Sequence, residues 1–125
     1  MLDPTKFEFQ DSRWKDIYLH LKNAGFNVYG PAQYEGECTE PYVVVKNDGG
    51  YKHLNYSSMR EQYSIHIVVP KKRYSELEPL VMAVKKSMKE LYPMIMDYGQ
   101  MQPSFYDDVL KAHIQAIEYE NYKKL

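Results

Sequence analysis

Two segments fix most of what this chain can become. From Tyr63 to Val69, the residues Tyr63, Ile65, Ile67 and Val69 alternate with Ser64, His66 and Val68, the period of two that marks a strand. Tyr42 to Lys46 (YVVVK) is a β-branched run with the continuous apolar character of a strand covered on both faces. Only two amphipathic helices accompany these strands, and two helices of such length cover one face of a sheet, which gives an α+β layer.

The first helix is marked at both ends. Asp11 or Ser12 is placed to accept from the free N–H groups of the first turn, Trp14, Ile17, Tyr18 and Leu21 fall at i, i+3, i+4 and i+7, and Gly25 follows as a left-handed cap. A helix is therefore predicted from about Ser12 to Ala24. The second is predicted over 75–92. Ser75 and Glu78 have capping-box spacing, Pro79 is tolerable near the first turn, and Leu77, Leu80, Val81, Val84, Met88 and Leu91 form one apolar stripe. Lys85, Lys86 and Lys89 occupy its other side and Pro93 ends it.

Phe26 to Tyr29 reads as a short strand before Gly30-Pro31, and Asp48-Gly49-Gly50 as a turn after the YVVVK strand. Tyr51 to Ser58 (YKHLNYSS) is either a hairpin extension or a projecting loop, followed by a strand around Met59 to Val69. Met94 to Met101 is a strand candidate. In the closing strand, Leu110 to Tyr122, Ala112, Ile114 and Ala116 alternate before the phase shifts to Ile117 and Tyr119, the mark of a bulge. The predicted order is α-β-β-β-α-β-β: a mostly antiparallel four- to five-stranded sheet with two helices packed on one face. It forms a single domain over 1–125, with 1–10 as a flexible arm, and leaves the other sheet face to solvent or another chain.

At 125 residues the chain is long enough to build one core without disulfides or metals. Its 16 Lys+Arg and 17 Asp+Glu leave a net charge of -1, which argues against a dedicated nucleic-acid binder with a basic face. No apolar run approaches the roughly 20 residues of a membrane span. The start, MLDPTKFEFQ, carries neither an apolar signal core nor an Arg-rich transit pattern, and a lone cysteine, Cys38, fits a reducing compartment. The count out of line is 13 tyrosines. Tyrosine suits half-buried strand positions, and equally positions that become buried when a partner arrives. Tyr42, Tyr56, Tyr63, Tyr98 and Tyr119 all fall in or beside predicted strands.

No catalytic, cofactor or metal site is predicted. His20, His53, His66 and His113 lie on different elements without metal-ligand spacing, although His66 and His113 sit in candidate strands that can bring them together. Cys38 lies among acids, which raise a thiol pKa. Asp107-Asp108, the one adjacent carboxylate pair, reads as a turn or cap device. Between Lys71 and Lys89 stand six cations against Glu76 and Glu78, a solvated helix face in the plainest reading.

The segments NAGFNVYG (Asn23 to Gly30), PYVVVKNDGG (Pro41 to Gly50) and QYSIHIVVPKK (Gln62 to Lys72) lead to an amphipathic helix ending at Leu91-Tyr92-Pro93 and to KAHIQAIEYENYKK (Lys111 to Lys124). Together they resemble the tail-terminator or tail-completion (minor tail) proteins of long-tailed bacteriophages and prophages of Gram-positive bacteria. The resemblance covers most of the chain and lies in element order and local character rather than in one motif. It implies a non-enzymatic virion assembly protein with no cofactor. Such a protein is made in the host bacterial cytoplasm and closes into a ring, typically a hexamer, at the end of the virion tail. There it stops tail-tube polymerisation and presents a surface to the head connector. The implied partners are copies of itself, the tail-tube protein and the connector protein, with no membrane and no specific nucleic acid. A ring needs heterologous interfaces. The candidate contact residues are Glu35, Glu37 and Glu40 against Lys71, Lys72 and Arg73, together with Tyr51, Tyr56 and Tyr63. A reading from another class is a small nucleic-acid-associated or nuclease-like domain using the basic helix 75–92 and Asp107/Asp108, and a third is an adaptor that binds a peptide along a sheet edge.

Overall fold

The alternating segment becomes the middle of a sheet. A computed structural model describes residues 13–52 and 58–124. The elements run α1 (Trp14–Asn23), β1 (Val28–Tyr29), β2 (Tyr42–Lys52), β3 (Ser58–Pro70), α2 (Leu77–Met88), β4 (Met96–Met101), β5 (Phe105–Asp107) and β6 (Ala112–Lys124). The sheet order is β1-β2-β3-β6-β4, with β5 also paired to β6, and every pairing is antiparallel except β1 with β2. The fold is α+β with a mostly antiparallel sheet, as expected, and has one strand more than the predicted order because the three residues of β5 carry no alternation to read.

Both helices lie on one face. Ile17 and Leu21 of α1 and Leu77, Val81, Val84 and Met88 of α2 close over Val43, Val45, Tyr63, Ile65, Ile67, Val69, Ile117 and Tyr119. Each such side chain contributes about 1.5–3 kcal/mol by leaving water. α1 ends in a Schellman motif: Gly25, at φ +99°, donates to the Lys22 carbonyl, Phe26 donates to the Leu21 carbonyl, and the Phe26 ring packs on the core. At the other end the Arg13 N–H donates to the Tyr63 hydroxyl at 2.8 Å, so a strand tyrosine satisfies one of the free donors of the first turn. The Trp14 indole N–H donates to the Val45 carbonyl at 2.6 Å.

Four expectations are corrected. First, β6 has no bulge against β3: their register is unbroken from Ser58↔Lys124 to Pro70↔Ala112. The apolar phase shifts because the strand is buried on both faces, with Ile117 and Tyr119 under the helices and Ala112 and Ile114 in a second cluster on the opposite face. Second, Gly49-Gly50 is not a turn. β2 runs through it, with a register shift between Asn47 and Gly49, and a Cβ at Gly50 would stand 2.5 Å from the Arg60 carbonyl oxygen. Third, the second helix is shorter than 75–92. A 3-10 segment, Lys71–Glu76, precedes α2 and another, Lys89–Leu91, follows it, and no side-chain cap bond forms at Glu76, so the Ser75/Glu78 box is unused. Fourth, the face away from the helices is not left entirely to solvent or another chain. Tyr34 and Cys38 of the 30–41 loop, with Leu110, cover Tyr42, Val68, Ala112 and Ile114.

The ends of the Tyr51 to Ser58 stretch extend the β2–β3 hairpin. The predicted arm 1–10, Asp11, Ser12, His53 and Tyr56 lie outside the described residues. Among the described residues no helix is long and apolar enough to cross a membrane.

Candidate interaction surfaces

The acidic loop and the basic stretch do meet, but within one chain. The loop is pinned by the Cys38 N–H, which donates to the Leu110 carbonyl at 2.8 Å, and by Tyr34, whose ring stacks on Tyr42 at 4.5 Å and whose hydroxyl donates to the Glu37 carbonyl. The Lys71 N–H donates to the Lys111 carbonyl at 3.0 Å, which brings the 3-10 segment alongside. Arg73 then reaches Glu40 at 2.8 Å and grips Glu76 with its other nitrogens. The guanidinium is held further above its ordinary pKa by Glu76 first and Glu40 second, and Glu76 is held below its own by Arg73. Glu37, Cys38, Lys71, Lys72, Arg73 and Lys111 surround one open groove. Glu40 and Arg73, expected on opposite sides of a subunit contact, are ion-pair partners within one chain. Glu35, Lys71 and Lys72 are exposed.

The tyrosines divide in a way the sequence did not reveal. Tyr63 is 0% exposed, and its hydroxyl donates to Glu61 at 2.6 Å while accepting from Arg13. Its proposed place at a subunit interface is therefore corrected, since its own chain encloses it. Tyr119 is buried beneath the helices, and burial raises its hydroxyl pKa. Tyr42 is buried on the opposite face, where burial pushes its pKa up to about 12. Tyr51 lies in β2 and its side chain falls outside the described residues. Tyr98 is half-buried with the Arg60 guanidinium 4.6 Å from its ring centre, and Arg60 pairs with Glu120.

Groups with chemical potential are spent on structure. His66 pairs across the sheet with Ala116 and His113 with Val69, positions of opposite parity, so the two rings are on opposite faces and do not meet. The His66 ring contacts Ser64 at 3.1 Å, and its pKa is lowered by burial first and then by Lys46. His20 ties α1 to Ser87 of α2. Cys38 is buried and donates to the Glu40 carbonyl; burial is the main cause of its raised pKa, ahead of the neighbouring acid. Asp107 closes a turn by accepting from the Val109 and Leu110 N–H groups, both at 2.9 Å, and Asp108 pairs with Lys111. Among the described residues no three His, Cys, Asp or Glu side chains gather as a metal site.

What the sequence reading missed is the distribution of exposed apolar groups. Of the eight large ones among the described residues, Tyr74, Met82, Met101 and Tyr106 gather on the helix side, between the start of α2, the end of β4 and β5, whereas Phe105 pairs with Ile114 and faces the other way. Tyr74, Met82 and Met101 line a groove with Leu77, Val81 and Gln115, and Tyr74 and Tyr106 both contact the His113 ring. Lys71 stands back over Tyr106, 5.7 Å from the ring centre. A separate apolar pocket of about 340 Å³ lies beyond the end of α2. Met88, Ile95 and Tyr119 form its floor, Tyr92 stands at the side, and Lys85, Lys89 and Asp97 rim it.

Comparison with protein-family models and with characterised proteins finds no match to this chain.

Proposed function

We propose that this chain is a non-enzymatic phage or prophage structural protein of the tail-terminator kind, forming a ring that ends tail-tube polymerisation and joins the tail to the head connector. One observation carries the reading beyond the sequence resemblance. Four of the eight exposed large apolar groups among the described residues, Tyr74, Met82, Met101 and Tyr106, gather around one groove and the His113 ring of a molecule whose core tyrosines are enclosed. Apolar groups gathered on one side of a chain with a net charge of -1 are what a subunit needs to bury in an assembly. The nuclease-like alternative is less well supported. Asp107 and Asp108 serve the β5–β6 turn, while Lys85 and Lys89 fall at the far end of α2, beside Tyr119 rather than Ala112. Electron microscopy of lysates from a phage lacking the gene tests the proposal. Over-long tails without heads are expected, and tails of normal length joined to heads would overturn it.

A further inference from the structure

The β5–β6 hairpin and the pocket beyond α2 have complementary chemistry at different places on one molecule. Val109, at the hairpin tip, is 82% exposed, the most exposed of the large apolar groups. Asp107 holds the tip rigid through its two backbone bonds, so little conformational entropy remains to be lost when the tip is buried. The turn carries two carboxylates, Asp107, which accepts from the Val109 and Leu110 N–H groups, and Asp108, which pairs with the ammonium of Lys111, so its balance is one negative charge. The pocket has an apolar floor, and its rim has the reverse balance: two ammoniums, Lys85 and Lys89, and one carboxylate, Asp97, which is already committed to the Gly99 N–H at 2.7 Å. Neither rim lysine makes an ion pair among the described residues.

The two features cannot meet within one chain. The turn precedes Ala112 and the pocket floor includes Tyr119, seven residues further along β6 and so roughly 23 Å away at about 3.3 Å per residue. A contact between them therefore joins different patches on successive copies. It is heterologous, and such a contact makes a ring if its rotation closes.

We propose that Val109 and its acidic turn insert into the lysine-rimmed pocket of a second copy of this chain. The occupant is a second copy because the same chain carries both the exposed tip and a pocket of opposite charge balance. The contact rests on the ring-forming reading for its closure, and it deepens that reading by naming which surfaces touch.

Two variants separate the halves of the contact: Val109→Glu alters only the tip, and Lys85→Glu with Lys89→Glu alters only the rim. All three substitutions fall on partly or fully exposed positions, and circular dichroism and thermal unfolding check that both proteins fold. Sedimentation velocity is then run over a concentration series on the wild type, each variant and their mixture. The wild type is expected to associate beyond a dimer, and each variant to associate at least tenfold more weakly. The mixture is expected to stop at one-to-one heterodimers, because only one intact tip and one intact pocket remain. Two results would overturn the contact: variants that assemble like the wild type, or a wild type that stays monomeric at its highest soluble concentration. Tail length in the gene-deletion phage reads the ring-terminator proposal separately, so the two can fail independently.

Discussion

The two faces of the sheet are built by different means. On the helix side, two helices enclose a continuous apolar layer, and even its tyrosine hydroxyl at position 63 is engaged by Glu61 and Arg13. On the other side, one end is closed by a loop through Tyr34 and Cys38, and the rest carries Arg60, Glu120, Ser64 and His66 in polar contacts. The first face stores most of the stability. The second is a thinner cover assembled from loop side chains, and beyond it the sheet holds a largely buried ion pair, Arg60 with Glu120, in place of an apolar layer.

The contrast is open to attack by substitution. Ile67→Ala, beneath the helices, is expected to cost about 3–5 kcal/mol in urea unfolding, whereas Ile114→Ala in the loop-covered cluster is expected to cost about 2 kcal/mol, because a loop collapses into the space more readily than two packed helices. Equal costs would erase the distinction. Tyr63→Phe keeps the ring and deletes the hydroxyl that bridges Arg13 and Glu61, with an expected loss of about 1–3 kcal/mol. A smaller effect, on the second face, is a pH dependence. Because burial lowers the His66 pKa, the fold binds that proton less well than the unfolded chain does. Stability is therefore full above the ordinary histidine value of about 6.5 and declines as pH falls below it. His66→Gln is expected to flatten that part of a denaturation-against-pH series, and an unchanged slope would assign the dependence to another group. Smallest of all, Met82→Ser among the exposed apolar groups is expected to change stability by no more than about 0.5 kcal/mol, so any larger effect on assembly would belong to a partner contact.

Much of the first face was legible in the sequence, because alternation at 63–69 and the stripe from Leu77 to Met88 report burial directly. The second face was not. Its cover comes from Tyr34 and Cys38, which sit in a Gly/Pro-bounded acidic loop with no periodicity, and their partners are set by a return of the chain that only the folded topology specifies. The same two-sided burial made β6 look bulged: apolar residues on both faces of an unbroken strand produce the phase change that a bulge would. Charge was misleading for a related reason. Glu40 and Arg73 are 33 residues apart and read as separate patches until the loop lays one against the other. Val109 went unnoticed because a single apolar residue after two aspartates looks like the tail of a turn, and its exposure follows from the Asp107 bonds that hold the turn.

The central proposal is that this chain caps a growing tube by burying exposed apolar groups against neighbours. The most direct measurement adds the purified chain to polymerising tail-tube protein from the same phage genome and follows tube length by electron microscopy. Tubes that stop lengthening and carry a ring of density at one end are the expected result. Tubes that grow to the same length with and without the chain would contradict the claim.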